Sequence, residues 1–176
     1  PRVAAVIFGK DGGSAATDVV YEEDFLESDF HIALGELQGI LLALRKALGD
    51  QRNSLVVLAT DSMVAKYWVE EGNARVEAAL LLLEEIDNLL KNSGSRLYLV
   101  YVPTNDNIAD APSRLGVDGY HAELDKNTAE RDNLLRARTA TLALLKTAST
   151  EAWKLLITGA GRTGEVAEKT NESQNS

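Results

Sequence analysis

The chain has 176 residues, of which 45% are hydrophobic, and it carries a net charge of −9. This length suits one globular domain with an appended piece. A chain of this size can bury a core without the help of disulfides or bound metals. The lack of cysteine excludes a disulfide framework and a cysteine-ligated zinc site, and the acidic charge argues against a general nucleic-acid coat protein. No apolar run approaches ~18 residues, so we expect a soluble intracellular protein, free in the cell interior or in an organelle.

The first third of the sequence predicts a hairpin followed by a helix. Residues 3–8, VAAVIF, form a β-branched run that the turn GKDGG ends, and residues 15–21, AATDVVY, form a second candidate strand. An acidic loop then leads into ELQGILLALRKALG, where apolar residues recur at helical spacing and Gly49 supplies a stop. The predicted buried residues of this helix are Leu37, Ile40, Leu41, Leu44 and Leu48.

The middle of the sequence alternates predicted strands with predicted helices. SLVVLATD is a continuous apolar run that suits a strand covered on both faces, and RLYLVYV predicts a later strand. SMVAKYWVEEG between them predicts a short helix, and RVEAALLLLEEIDNLLKNSG a longer one. The predicted buried side of the longer helix carries Val76, Leu80, Leu83, Ile86 and Leu90. Strands that alternate with helices after an opening hairpin indicate an α/β layer fold.

An additional helical region is predicted from residue 119 to residue 157, where the chain is rich in alanine, leucine and charged residues. Its apolar residues make a modest stripe. The members of this stripe are Leu135, Leu142, Leu145, Ala152 and Leu156.

Three acidic residues lie at the ends of predicted elements, where an α/β sheet gathers its functional groups. Glu36 begins the first helix, Asp61 ends the strand SLVVLATD, and Asp110 follows the last strand in the segment VPTNDNIADAPSRLG. Each also has a structural interpretation. Glu36 suits the first turn of a helix, where the dipole favours a carboxylate, and Asp61 and Asp110 suit caps.

Taken together, the segments HIALGELQGILLAL, LVVLATDS and VYVPTNDNIADAPSRL resemble the ribonuclease H domain of retroelement reverse transcriptases. The likeness is to the retrotransposon type, with a histidine-isoleucine entry to the first helix and an Asn-x-x-Ala-Asp-x-x-Ser-Arg signature. It covers residues 1–116 and implies an α/β, ribonuclease H-like mixed sheet with flanking helices. Residues 117–158 then form a helical extension, and residues 159–176 a flexible polar tail.

The resemblance also implies a catalytic site. Such domains hold two divalent cations, magnesium or manganese, between carboxylates and cut the RNA strand of an RNA–DNA hybrid. Carried over by motif, Glu36 and Asp61 are inner metal ligands and Asp110 is the final acid. Three further residues fix the turn that aims Asp110. They are Asn107, Ser113 and Arg114.

The sequence departs from this family at its first strand, which lies in the middle of the family's sheet and carries a fourth acid. Counting back from Glu36 places that aspartate before Pro1, so that VAAVIF matches the family's second strand and AATDVVY its third. An alternative makes VIFGKDGG the first strand, with Asp11 as the acid. That alternative leaves too few residues before Glu36 for two more strands, and Asp11-Gly12-Gly13 is an ordinary turn.

A missing central strand would leave unpaired backbone groups in the middle of a sheet. We therefore expect another polypeptide to supply or cover that strand by β-augmentation. Two functions remain open. The first is a degenerate, noncatalytic interaction subunit without a cofactor, in a larger assembly such as a ribonucleoprotein or organellar complex. The second is an active or split ribonuclease H that uses magnesium or manganese on an RNA–DNA hybrid. No membrane partner is expected.

Several other signals are given structural interpretations. Gly159, Gly161 and Gly164 have dinucleotide-binding spacing, but too few residues follow them for a βαβ unit, so they predict a break that ends a helix. His31 is interpreted as ordering the loop before the first helix. Tyr67 and Trp68 are interpreted as core residues of the short helix rather than base-stacking platforms.

Overall fold

The computed structural model describes residues 2–9, 12–25 and 31–158, with side chains as far as residue 152. Its strands and helices alternate as an α/β chain, and two short 3-10 turns, Ala15–Thr17 and Thr104–Asp106, join them. In chain order the elements are β1 (Arg2–Ile7), β2 (Val19–Asp24), α1 (Ile32–Leu48), β3 (Leu55–Thr60), α2 (Met63–Glu71), α3 (Glu77–Ser93), β4 (Arg96–Tyr101), α4 (Asp110–Leu124) and α5 (Ala129–Thr158).

The four strands form two separate pairs in the part of the chain that the structure describes. β1 and β2 are antiparallel, with Val6 opposite Val20, and β3 and β4 are parallel, with Leu58 opposite Leu99. No ladder joins β1 to β3 among these residues. The predicted hairpin is confirmed, but its second strand begins at Val19, because the chain first makes a 3-10 turn at Ala15–Thr17.

Helix α1 is the centre of the main core. It contacts β1, β3, α2 and α3, and all five of its predicted core leucines and isoleucine are buried. The helix ends at Gly49, whose φ of +50° is a backbone conformation that favours glycine and supports the predicted stop. It begins earlier than predicted, because His31 takes the N-cap position and Ile32 the first helical position.

Two predictions about buried side chains were wrong. Leu80 is 42% exposed, since α3 turns Ala79 into the core instead, four residues before Leu83. Tyr67 is 61% exposed, whereas Trp68 is partly buried against the main core as predicted. Successive helical residues point about 100° apart, so one of these two neighbours faces solvent when the other packs inward.

The helical region after the last strand folds back on the sheet. It begins at Asp110 rather than at residue 119, and α5 contacts β3, β4 and the Thr104–Asp106 turn. Of the predicted stripe, Ala152 is buried as predicted, whereas Leu135, Leu142 and Leu145 are only partly buried. The side chain of Leu156 lies outside the described ones. Among the described side chains of α5, the buried ones are Leu134, Ala137, Thr141, Ala148 and Ala152. Most are small, which allows close approach of helix and sheet.

A buried ion pair fastens α5 to the hairpin. The Arg138 guanidinium donates to both carboxylate oxygens of Asp18, with Nε–Oδ2 at 2.6 Å and Nη2–Oδ1 at 2.9 Å. The Asp18 side chain is fully buried, and Arg138 also donates to the carbonyl of Gly12. The buried Tyr120 hydroxyl has no hydrogen-bond partner in the described structure, and burial raises its pKa to about 12.

Some sequence predictions fall outside the described residues. These are Asp11 as a candidate ligand, the glycine pattern from Gly159 and the polar tail of residues 159–176. Among the helices that the structure describes, none combines the length and the apolar character needed to cross a membrane.

Candidate functional site

Glu36 lies in the second turn of α1, one turn beyond the helix N-terminus. Because the N-cap is His31, the first turn carries no acidic residue, and the interpretation of Glu36 as a first-turn carboxylate was wrong. The His31 side chain makes no cap hydrogen bond, and its ring centroid is 6.4 Å from that of Trp68. Glu36 is half-buried and lines a cavity beside β3. Helix capping therefore does not explain this carboxyl group.

Asp61 directly follows β3 and precedes α2. The N-cap of α2 is Ser62, whose hydroxyl accepts from the backbone N–H of Ala65 at 3.1 Å. Ser62 is held in place by its own N–H, which donates to the hydroxyl of Thr60 at 3.2 Å. The interpretation of Asp61 as the cap was therefore wrong, and its carboxylate turns to Glu36.

The structure brings Glu36, Asp61 and Asp110 into one electrostatic cluster. Burial raises the pKa of Glu36 from its ordinary value of 4.5 to about 7, and the negative charge of Asp61 adds to this. A hydrogen bond to Asp61 and the charge of Asp110 raise the pKa further. The protonated Glu36 carboxyl thus donates to Asp61, whereas Asp110 acts on Glu36 through its charge.

The turn that carries Asp110 is held by the residues that the motif singled out. The Asn107 side chain accepts from the N–H of Ala109 at 3.1 Å, and the Asp110 N–H donates to the Asn107 carbonyl at 3.1 Å. The Ser113 hydroxyl donates to the Asp110 carbonyl at 2.7 Å. The Arg114 Nε donates to Asp110 Oδ2 at 3.0 Å, and this hydrogen bond raises the pKa of Arg114. Asp110 is therefore engaged by a cation from its own helix.

The donor set matches a hard divalent cation in chemistry but not in arrangement. Carboxylate oxygens are the ligands that magnesium and manganese prefer. Within the described ranges, however, no group of three or more acidic, histidine or cysteine side chains is arranged to hold a metal ion. A hydrogen bond joins Glu36 to Asp61, and Asp110 is paired with Arg114. These three residues alone do not fit a pair of metal ions.

A cavity of about 940 Å³ separates the two strand pairs and opens beside the carboxylates. One wall is the unpaired edge of β1 and the other is the unpaired edge of β3. Helix α1 lines one side of the cavity and α5 another. We call this cavity the strand slot. Apart from the two strands, its lining includes Gly35, Gly39, Ala43, Ala47, Thr141, Leu142, Leu145 and Ser149.

The sequence analysis missed the helical walls of the slot, although one signal was available. Gly35, Gly39, Ala43 and Ala47 recur at intervals of four, which places small residues along one side of α1. The apolar stripe that forms the core is the stronger pattern in this helix. The role of Arg138 had no signal, because an ion pair between residues so far apart in sequence has no local pattern.

Comparisons of this chain with protein-family models, with curated proteins and with solved structures give no match. The likeness to ribonuclease H domains therefore depends on the three sequence segments quoted above.

Proposed function

We propose that this chain is a degenerate ribonuclease H-like domain of retroelement origin that serves as a noncatalytic subunit of a larger assembly. In that assembly another polypeptide contributes an extended strand to the slot between β1 and β3. The observation that carries the proposal is the slot itself, a cavity of about 940 Å³ between two strand edges that have no ladder partner among the described residues.

The length of the slot suits a short strand. β1 and β3 each have six residues, so the slot runs for ~20 Å along the strands. In a paired strand, alternate residues direct their N–H and C=O groups to opposite edges. About half of the backbone groups of β1 and β3 thus face the slot, and a strand placed between them would satisfy both sets.

The chemistry of the carboxylates supports a noncatalytic role for the chain by itself. Burial and the neighbouring acids raise the pKa of Glu36 to about 7, and Asp110 forms an exposed ion pair with Arg114. The net charge of −9 also opposes the approach of a nucleic acid. The family pattern requires a fourth acid beyond Glu36, Asp61 and Asp110.

An active or split ribonuclease H is the second candidate, because Glu36, Asp61 and Asp110 converge beside the slot. In that case the incoming strand would bring the missing aspartate to the end of the slot where these acids lie. Magnesium or manganese would then supply the chemistry of hydrolysis. RNA or an RNA–DNA hybrid would then be a partner in addition to the polypeptide that supplies the strand.

The two candidates separate in a hybrid-cleavage assay with magnesium on the assembly purified through a tag on this chain. The variants are Glu36→Ala and Asp61→Ala, with Glu84→Ala on the exposed side of α3 as the matched control. We expect all three variants to assemble and none to change cleavage from the background. Magnesium-dependent cleavage that disappears in the first two variants and persists in the control would overturn the noncatalytic proposal.

A further inference from the structure

The lining of the strand slot restricts which strand it can take. We infer that the slot accepts a strand of about six residues that is apolar on both faces and passes over α1 at Gly39. The partner is thus a polypeptide with a short Val/Ile/Leu-rich segment, and not an amphipathic strand with alternating polar residues. This inference rests on the proposed function, since it specifies the strand that the assembly contributes.

Gly39 is the first observation that points to an occupant. It lies in the interior of α1, where glycine is less favourable than alanine. Its φ is not positive, and a Cβ built on it would meet no described atom within 4 Å. Neither backbone conformation nor packing within the described structure therefore requires glycine here. Close approach of another backbone is a physical reason for a glycine at such a position.

The neighbours of Gly39 extend this feature along the helix. Gly35, Ala43 and Ala47 lie on the same side of α1 and also line the slot. Four small residues at intervals of one turn make a shallow trough, which leaves room for large side chains of a strand above it. The trough has no charged or polar side chain between Glu36 at one end and Gln51 beyond the other. One face of the occupant is therefore apolar and bulky.

Helix α5 determines the chemistry of the second face. Leu142 and Leu145 are only partly buried and line the slot, with the small residues Thr141 and Ser149 on either side. A strand covered by helices on both faces reads as a near-continuous apolar run. Polar side chains that face the trough on α1, or Leu142 and Leu145 on α5, would be buried without partners. Ser149 and Lys146 also line the slot, so the apolar part of the α5 face is centred on the two leucines.

Charge restricts which residue the occupant can place at the end of the slot beside the acids. Glu36, Asp61 and Asp110 lie at the carboxyl end of β3, while Lys146 of α5 also lines the slot, one turn beyond Leu142. Without a cation, the acidic end disfavours a carboxylate on the occupant and favours an uncharged polar or basic residue. The occupant is thus apolar along its length and polar where it leaves the slot beside the acids.

Synthetic peptides test the inference on the full chain of residues 1–176. The probe peptide has the core Leu-Val-Val-Leu-Ala-Thr, which repeats the sequence of β3 as an example of a near-continuous apolar strand. Two lysines flank the core at each end for solubility. A second peptide of equal length and charge alternates valine with serine in its core. A third replaces the two central residues of the probe with proline, which removes ladder hydrogen bonds without changing charge.

The readout is amide hydrogen exchange measured by mass spectrometry. We expect the apolar probe to slow exchange at least tenfold in β1 and β3, and the proline peptide to leave both strands unchanged. We expect the alternating peptide to bind at least tenfold more weakly than the probe. The proline peptide also controls for nonspecific attraction of lysines to this acidic chain.

Substitutions in α1 test whether the bound strand passes over Gly39. Gly39→Leu fills the trough and is expected to weaken binding of the apolar probe at least tenfold, and Gly39→Ala to weaken it to a smaller extent. Ala143→Leu is the matched control, because Ala143 is an exposed residue of α5 that does not line the slot. Circular dichroism of each variant verifies that it is folded.

The outcomes distinguish this inference from the proposed function. If the alternating peptide protects β1 and β3 as well as the probe does, the slot accepts a strand but the inference about its chemistry fails. Unchanged probe binding in Gly39→Leu would overturn the route over α1. If no peptide slows exchange in β1 and β3, the strand-acceptor function fails together with the inference.

Discussion

Glu36 donates a hydrogen bond from its protonated carboxyl to Asp61, although one residue lies in a helix and the other follows a strand. The contact exists because α1 packs across β3 with its N-terminal turns at the carboxyl end of that strand. The sequence interprets Glu36 and Asp61 as start residues of two different helices. In the structure they lie together at one end of the strand slot. This arrangement has consequences that can be measured on the chain alone.

The first consequence is a loss of stability as pH rises. Glu36 has a pKa of about 7 in the folded chain and an ordinary value of 4.5 when unfolded. Between these values the unfolded state releases the proton and the folded state retains it, so the free energy of unfolding falls with rising pH. We expect a contribution of ~1–2 kcal/mol after allowance for solvent screening.

The variant Glu36→Gln isolates this contribution, because the amide is neutral at every pH and still donates to Asp61. Urea unfolding of the two proteins from pH 4.5 to pH 8 measures it as a change in their stability difference. A stability difference that does not change with pH would show that the Glu36 carboxyl ionises in the folded chain as it does in the unfolded one.

A second prediction concerns the influence of Asp61 on its neighbour. Asp61→Asn removes a negative charge beside Glu36 and is expected to lower the pKa of Glu36, although burial keeps it above 4.5. Titration of the Glu36 carboxyl carbon by NMR measures the shift, and Glu84→Gln, at an exposed position in α3, is the control. An unchanged pKa would mean that the two carboxyl groups are not in contact.

A third prediction separates the roles of Asp61 and Ser62 in α2. Since Ser62 is the N-cap, Ser62→Ala should destabilise the fold by ~1 kcal/mol. Asp61→Ala should cost less, because it also relieves repulsion from the other acids. Denaturant unfolding at pH 7 measures both, and a larger loss in Asp61→Ala would identify Asp61 as the structural residue.

A fourth prediction concerns the buried ion pair. Arg138→Met leaves the Asp18 carboxylate buried without its partner and should cost ~3–5 kcal/mol of stability. Arg45→Met removes an exposed pair with Glu85, between α1 and α3, and should cost at most ~1 kcal/mol. Equal losses in the two variants would show that Arg138 does not fasten α5 to the hairpin.

A fifth prediction follows from the open space at Gly39. In the absence of any occupant, Gly39→Ala should stabilise the isolated chain by ~0.5–1 kcal/mol, because it improves helix propensity without a clash. Thermal or urea unfolding measures the gain. A loss of stability would mean that the trough closes in the isolated chain, so that Gly39 is packed against its own fold.

The sequence predicts where the helices and strands lie better than it predicts which side of each helix is buried. Periodicity locates α1 and its core residues correctly, because a helix that packs on both strand pairs has a wide apolar stripe. It is less successful for α5, where Ala152 is buried as predicted but Leu142 and Leu145 are only partly so. The buried Ala137 and Ala148 were not predicted. A pattern based on large apolar residues cannot detect an interface made by small ones.

The sequence predicts which residues belong to the candidate site, but not which of them are in contact across the fold. Asn107, Ser113 and Arg114 contact the Asp110 turn because these bonds are local in sequence. The hydrogen bond between Glu36 and Asp61 depends instead on tertiary packing, as does the strand slot. The expectation of a further strand followed from the resemblance, whereas the small-residue trough on α1 required the structure.

The most direct test of the strand-acceptor function is a structure of this chain in its native assembly, examined between β1 and β3. We predict an extended segment of another polypeptide, hydrogen-bonded to both strands and apolar on both faces. A slot closed by direct pairing of β1 with β3, or filled by residues of this same chain, would contradict the account.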